Sequence, residues 1–167
     1  MKVMETKRLI FRTLELGDLD EMMLIWGDQE VMKYCGNAGT LEQETKSLQY
    51  YIKMQNTIGF SPYVVILKAS GEVIGVCGFN PGGNGCDAEL LYHFKRAHWG
   101  NGYATEAAGA CVNYATTRTS INLLGASIEP ENTSSESVLV KLGFQKTEDL
   151  LDDLTGQKLL YYIKETN

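Results

Sequence analysis

Apolar and polar residues alternate along residues 88–95, with Ala88, Leu90, Tyr92 and Phe94 on one side and Glu89, Leu91, His93 and Lys95 on the other. Strand side chains point to opposite faces in turn, so this segment predicts a strand with one buried and one polar face. Residues 8–16 alternate in the same way, and Gly17-Asp18 then opens a helix reaching about Gly27. Leu41, Leu48, Tyr51 and Ile52 recur at helical spacing and predict a second helical region over 40–57. Two apolar runs, 63–68 and 73–79, flank Ala69-Ser70-Gly71-Glu72, a hairpin signal. The glycine-rich segment 80–85 loops back into the 88–95 strand, so these three strands form an antiparallel meander. After residue 102 the period changes. Ala104, Ala107, Ala108, Cys111, Val112 and Ala115 line one helix face with mostly small side chains, which lets a helix lie close against a sheet. Residues 123–128 read as another strand, and Thr133-Ser134-Ser135-Glu136 has the spacing of a capping box that opens a short helix closed by Gly143. Residues 145–151 and 158–164 pair as a final hairpin around Thr155-Gly156. The order strand, helices, three strands, helix, strand, helix, two strands predicts a mixed α/β fold.

Between the 88–95 strand and the small-residue helix lies Trp99-Gly100-Asn101-Gly102-Tyr103-Ala104, a glycine turn. The first amides of a helix lack intrahelical acceptors, and the helix dipole adds about half a positive charge there. A glycine turn feeding such an end admits phosphate oxygens to the main chain, which predicts a site for the pyrophosphate of a nucleotide-bearing cofactor. A nicotinamide-dependent oxidoreductase is one alternative. Residues 100–105 carry a partial G-x-G-x-x fingerprint, and Glu129, 27 residues after Gly102, could mimic the ribose-binding acid of that fold. The polar face of the preceding strand argues against it, because the first strand of a dinucleotide fold is normally apolar on both faces.

The length of 167 residues suits one domain, 1–167, that buries about 70% of its unfolded surface. No apolar run approaches the ~20 residues of a membrane span. The opening MKVMETKRLIF lacks the apolar core and small-residue cleavage site of a signal peptide, so a cytoplasmic protein is expected. A net charge of −6 disfavours nonspecific nucleic-acid binding and is compatible with a cationic substrate such as an amine or basic peptide. Cys35, Cys77, Cys86 and Cys111 are scattered, with no C-x-x-C pair, and there are only two histidines, so a zinc site has little support, no metal is expected, and buried free thiols are the better reading.

Glu5-Thr6-Lys7-Arg8-Leu9-Ile10-Phe11-Arg12, Ala88-Glu89, Trp99-Gly100-Asn101-Gly102-Tyr103-Ala104-Thr105-Glu106-Ala107, Glu131-Asn132-Thr133-Ser134-Ser135 and Lys141-Leu142-Gly143-Phe144 occur in that order. Together they resemble the GNAT superfamily of acetyl-CoA-dependent N-acetyltransferases, most of all its RimJ/RimL-like branch, over nearly the whole chain. The resemblance implies a GNAT fold, with a splayed, mainly antiparallel sheet of about seven strands and about four flanking helices. It also implies direct acetyl transfer from acetyl-CoA to a primary amine, without an acetyl-enzyme. The scattered cysteines give no sign of a nucleophile paired with a base. Trp99 stands where the pyrophosphate motif usually has Gln or Arg, a departure familiar in this branch that leaves backbone amides to hold the phosphates. Leu139 stands where many members carry a tyrosine acid, and the branch's alternative, the serine of N-x-x-S, maps to Asn132 and Ser135.

By that resemblance Trp99, Gly100, Asn101, Gly102, Tyr103, Ala104 and Thr105 hold the pyrophosphate, while Tyr92, Phe94, Asn132 and Ser135 contact the rest of acetyl-CoA. A plain tight turn, and an Asn132 that merely caps a helix, are the simpler alternatives. Glu89 is the candidate general base, drawing a proton from the incoming ammonium directly or through water; otherwise it is a solvated strand glutamate. His93 shares its face, but four residues of strand span roughly 13 Å, so the two do not easily serve one proton. Ser135 would return a proton to the departing thiolate, or simply begin its helix. Trp26 and Tyr50, with Tyr51 and Trp99, shape a substrate pocket or belong to the core.

An α-amine of pKa near 7.8 is roughly 10–15% neutral at pH 7, against about 0.04% for a lysine-type amine, so an N-terminal acceptor leans less on a base. The branch resemblance puts a protein or peptide N-terminus first and a small amine second. A noncatalytic acyl-CoA-binding sensor is the rival kept alive by the missing tyrosine. The sequence leaves monomer and homodimer equally open.

Overall fold

Five strands run as an antiparallel meander in the computed structural model, which describes residues 1–166. They are β1 (Lys2–Glu5), β2 (Leu9–Thr13), β3 (Pro62–Leu67), β4 (Val73–Pro81) and β5 (Ala88–Phe94). Helices α1 (Leu19–Trp26) and α2 (Leu41–Ile58) are inserted between β2 and β3. Then follow α3 (Tyr103–Arg118), β6 (Leu123–Ile128), α4 (Thr133–Lys141), β7 (Gln145–Lys146), β8 (Leu150–Leu151) and β9 (Lys158–Glu165). The sheet order is β1-β2-β3-β4-β5-β6-β9-β7, with β8 also on β9. Every pairing is antiparallel except β5 with β6, which is parallel and holds only Ala88 opposite Leu124 and Glu89 opposite Gly125. Past those pairs β5 keeps β4 as far as Phe94 and β6 keeps β9 as far as Ile128. The sheet therefore splits open in its middle.

Each face of the sheet carries its own core. On one, Ala107, Ala108, Cys111 and Ala115 of α3 are fully buried with Leu9, Phe11, Phe79, Leu124 and Leu139. The short side chains let the α3 backbone settle against the sheet, and each large apolar side chain buried there contributes about 1.5–3 kcal/mol. On the other, Met22, Ile25 and Trp26 of α1 and Leu48 of α2 pack on Val64, Val76 and Leu91.

The described residues form nine strands where about seven were expected. β1 was absent from the pattern, because four residues are too few to show alternation above noise. The strand predicted over 8–16 stops at Thr13. Asp18 accepts from the Arg12 guanidinium at 2.7 and 2.8 Å and from the Glu15 N–H at 2.8 Å, which winds Leu16–Asp18 into a short 3-10 turn before α1. The predicted α2 is present and starts with a reciprocal box between Thr40 and Gln43. The last hairpin forms around Thr155-Gly156 as β8 on β9, but its first arm breaks into β7 and β8, and β9 lies between β6 and β7. The box expected at Thr133 is replaced by a single cap: Asn132 Oδ1 accepts from the Ser135 N–H at 3.3 Å, and Thr133 is already helical. No helix among the described residues is long and apolar enough to cross a membrane.

Candidate active site

The glycine turn after β5 has Gly100 and Gly102 at φ +78° and +77°, a region costly for any residue with a Cβ. No side chain caps α3, and the turn's first helical bond runs from the Glu106 N–H to the Gly102 carbonyl at 3.1 Å. The amides of Tyr103, Ala104 and Thr105 thus point out of the helix end, as an anion site requires. Glu106, one turn inside, would oppose an anion, but the Arg8 guanidinium lies 2.6 Å from its carboxylate and the Thr6 hydroxyl donates to it at 2.6 Å. Arg8 also donates to the Asn101 carbonyl at 2.9 Å and lies 4.4 Å over the Tyr103 ring. These partners hold the Glu106 carboxyl below the usual range against the opposing effect of burial. Trp99 fixes the other side of the turn, its indole N–H donating to the Phe94 carbonyl at 2.8 Å.

From this turn a groove of about 640 Å³ runs past Trp99, Gly102, Tyr103, Ala104, Thr105 and Phe94. A second chamber of about 810 Å³ opens where β5 and β6 part, lined by Glu89–His93 of β5 and Ala126–Glu129 at the end of β6. The two cavities share Tyr34, Cys35, Tyr92, His93, Asn132 and Ser135, so they meet at one junction. There the Tyr92 hydroxyl lies 2.7 Å from Ser135 Oγ and donates to the Ser135 carbonyl at 3.1 Å. Burial raises the Tyr92 phenol well above its ordinary value, so it stays protonated.

Glu89 is half-buried in the chamber, at the last residue pair before the sheet divides. Burial alone raises its pKa. His93, at the junction, is partly buried; its Nδ1 is shut off with no partner among the described residues and burial drops its pKa to about 4, so the ring is neutral at pH 7. Leu139 is fully buried in the core.

Of the other residues singled out from sequence, Trp26 lines the chamber but Tyr50 does not: it is 52% exposed and stacks edge-on to Tyr51. Tyr51 takes its place, facing the chamber with its hydroxyl donating to Asn80 Oδ1 at 2.8 Å. The Asn101 side chain donates to the carbonyls of His98 and Trp99 at 3.1 Å and braces the turn instead of facing the groove. Cys77 and Cys111 are buried with sulfurs 3.6 Å apart and Cys86 is buried, but Cys35 is on the surface at the junction, contrary to expectation. Sequence reasoning missed Tyr34 and Lys33, which sit in an aperiodic loop after α1, and the bracing role of Arg8, whose partner is 98 residues away. No group of three metal-ligating side chains occurs among the described residues.

A family model for the Acetyltransferase (GNAT) domain matches residues 8–145, and the chain belongs to that family. It is 38% identical over 164 residues to an uncharacterized N-acetyltransferase, p20, of Bacillus licheniformis, covering 95% of this chain and 90% of that one. A GNAT-family acetyltransferase structure from Bacillus anthracis superposes with a TM-score of 0.84 at 23% identity, over 99% of both chains. The structure of RimL, a ribosomal L7/L12 α-N-protein acetyltransferase in complex with coenzyme A, superposes at 0.79 and 13% identity, over 99% of this chain and 98% of that one. The mainly antiparallel, splayed sheet is the GNAT fold and not the parallel dinucleotide-binding sheet weighed from sequence. The protein is an acetyltransferase, and GNAT acetyltransferases use acetyl-CoA.

Proposed function

We propose that the whole chain works as one unit that moves an acetyl group directly from acetyl-CoA to a primary amine, with the groove taking the cofactor and the chamber the amine. The observation that carries this is the meeting of the two cavities at Tyr92, Asn132 and Ser135, beside the open edge of β5. The amides at the start of α3 receive the pyrophosphate, and Asn132 and the open edge of β5 steady the pantetheine arm. Holding amine and thioester together converts a bimolecular encounter into a near-unimolecular step, and main-chain N–H groups along β5 polarise the carbonyl.

Glu89 takes the proton from the ammonium, directly or through a water, and the freed nitrogen attacks the thioester carbon. As the carbon–sulfur bond breaks, the Ser135 hydroxyl gives its proton to the thiolate, Tyr92 replenishes Ser135 across their hydrogen bond, and the surplus proton of the attacking nitrogen returns to Tyr92 through water, leaving a neutral amide and a protonated phenol. Burial raises the Glu89 pKa and so makes it a better base than a solvated carboxylate. The acceptor is a peptide or protein α-amine or a small amine. The test follows thiol release from acetyl-CoA with a panel of amines, comparing wild type and Glu89→Gln at about pH 6 to 9. The expected loss in kcat/KM is about 10²-fold or more. Equal values for the two proteins would remove Glu89 as the base, and acetyl-CoA binding without turnover of any amine would favour the sensor.

A further inference from the structure

The two cavities differ in charge. Lys33 and Lys141 line the groove beside the positive end of α3, with Glu30 its one acid. The chamber is lined by Glu44, Glu89, Glu129 and Asp152 and by no lysine or arginine. Among the described residues none of those four carboxylates forms an ion pair, whereas elsewhere Asp28 is 3.0 Å from Arg96 and Glu21 is 2.8 Å from Lys95. A concave wall of low dielectric concentrates the field of such unpaired charges and draws cations into it.

Resting on the acetyltransferase reading above, we infer that the chamber selects an acceptor carrying at least one further positive charge, a diamine or polyamine, over a monoamine or a peptide N-terminus. A peptide α-amine brings a single ammonium, which Glu89 deprotonates, and it leaves Glu44, Glu129 and Asp152 facing an uncharged body. Among the described residues these carboxylates form no metal-binding group of three, so a single metal ion is not their evident partner. Trp26, Tyr34 and Tyr51 add aromatic surface to the same wall, favourable to an alkylammonium. His93 also lines the chamber, and its uncharged ring does not repel a cation. A high-pKa amine is also the acceptor that most needs a base such as Glu89.

The experiment compares kcat/KM for putrescine and spermidine with that for butylamine and for a short peptide with a free N-terminus, by thiol release and mass spectrometry of the products. Putrescine should exceed butylamine by about tenfold or more, with the ratio shrinking as salt rises. Glu44→Gln and Glu129→Gln should each cut that ratio by about three- to tenfold through KM. A ratio within one preparation is insensitive to the fraction of protein that folds. Turnover of butylamine or peptide equal to or above that of putrescine would overturn the charge selection and leave the acetyltransferase reading standing. No turnover of any amine, with acetyl-CoA still bound, would overturn both.

Discussion

His93 should make the protein acid-sensitive. Its imidazole titrates near 6.5 in an unfolded chain and near 4 in the folded one, because burial penalises the charged ring and Nδ1 has no hydrogen-bond partner among the described residues. Above the unfolded value the ring is neutral in both states and the full stability is present. As pH falls through 6.5 the unfolded chain takes up a proton that the native state refuses, and stability declines until the native ring also titrates near 4. A gap of about 2.5 pH units at about 1.4 kcal/mol each gives a loss of about 3 kcal/mol over that window. Urea unfolding of wild type and His93→Phe at several pH values isolates this contribution, since the carboxylates lose stability alike in both. The wild-type curve should fall away from that of the variant by about 1.4 kcal/mol per pH unit below the unfolded value. His93→Gln provides the same comparison if the phenyl ring does not fit. Parallel curves, or an imidazole NMR titration near its ordinary value, would refute the reasoning.

Tyr92→Phe removes the 2.7 Å contact to Ser135, and should cost about 1 kcal/mol of stability and about tenfold in kcat while leaving the KM for acetyl-CoA in place. Initial rates check this, and an unchanged kcat would exclude Tyr92 from proton delivery. Gly102→Ala forces a Cβ into φ +77° at a cost of about 1–2 kcal/mol and should weaken coenzyme A binding by about tenfold in calorimetry. Gly17→Ala, where a Cβ meets open space at an ordinary φ, should leave that binding unchanged.

The parts of the site legible in the sequence are those carried by short spacing. The glycine turn, the small-residue face of α3, and Asn132 three residues before Ser135 each lie within a few residues of one another, where turn and helix chemistry acts. The contacts that complete the site are long-range. Tyr92 meets Ser135 across 43 positions and Arg8 meets Glu106 across 98, and no local periodicity encodes either. Tyr50 and Tyr51 show the limit of pattern reading. Adjacent on one helix, they differ by about 100° in direction, and only the packing of α2 on the sheet decides that Tyr51 turns inward. Strands as short as β7 and β8 carry too few side chains to reveal a face.

Where β5 and β6 part after two residue pairs, the sheet acquires two inner margins in addition to its outer ones. An unpaired strand margin normally invites a neighbour's strand and needs protection by charge, bulge or cover. Here the two margins converge at Glu89 and Gly125, so a strand entering between them runs into a closing wedge while a narrow flexible chain does not. The same divergence that would make the sheet vulnerable thus filters what can lie along it. Amide hydrogen exchange should report that filter directly, with main-chain protons of Leu91 to Phe94 on the open side slowing when the wedge is filled and those facing β4 remaining slow throughout.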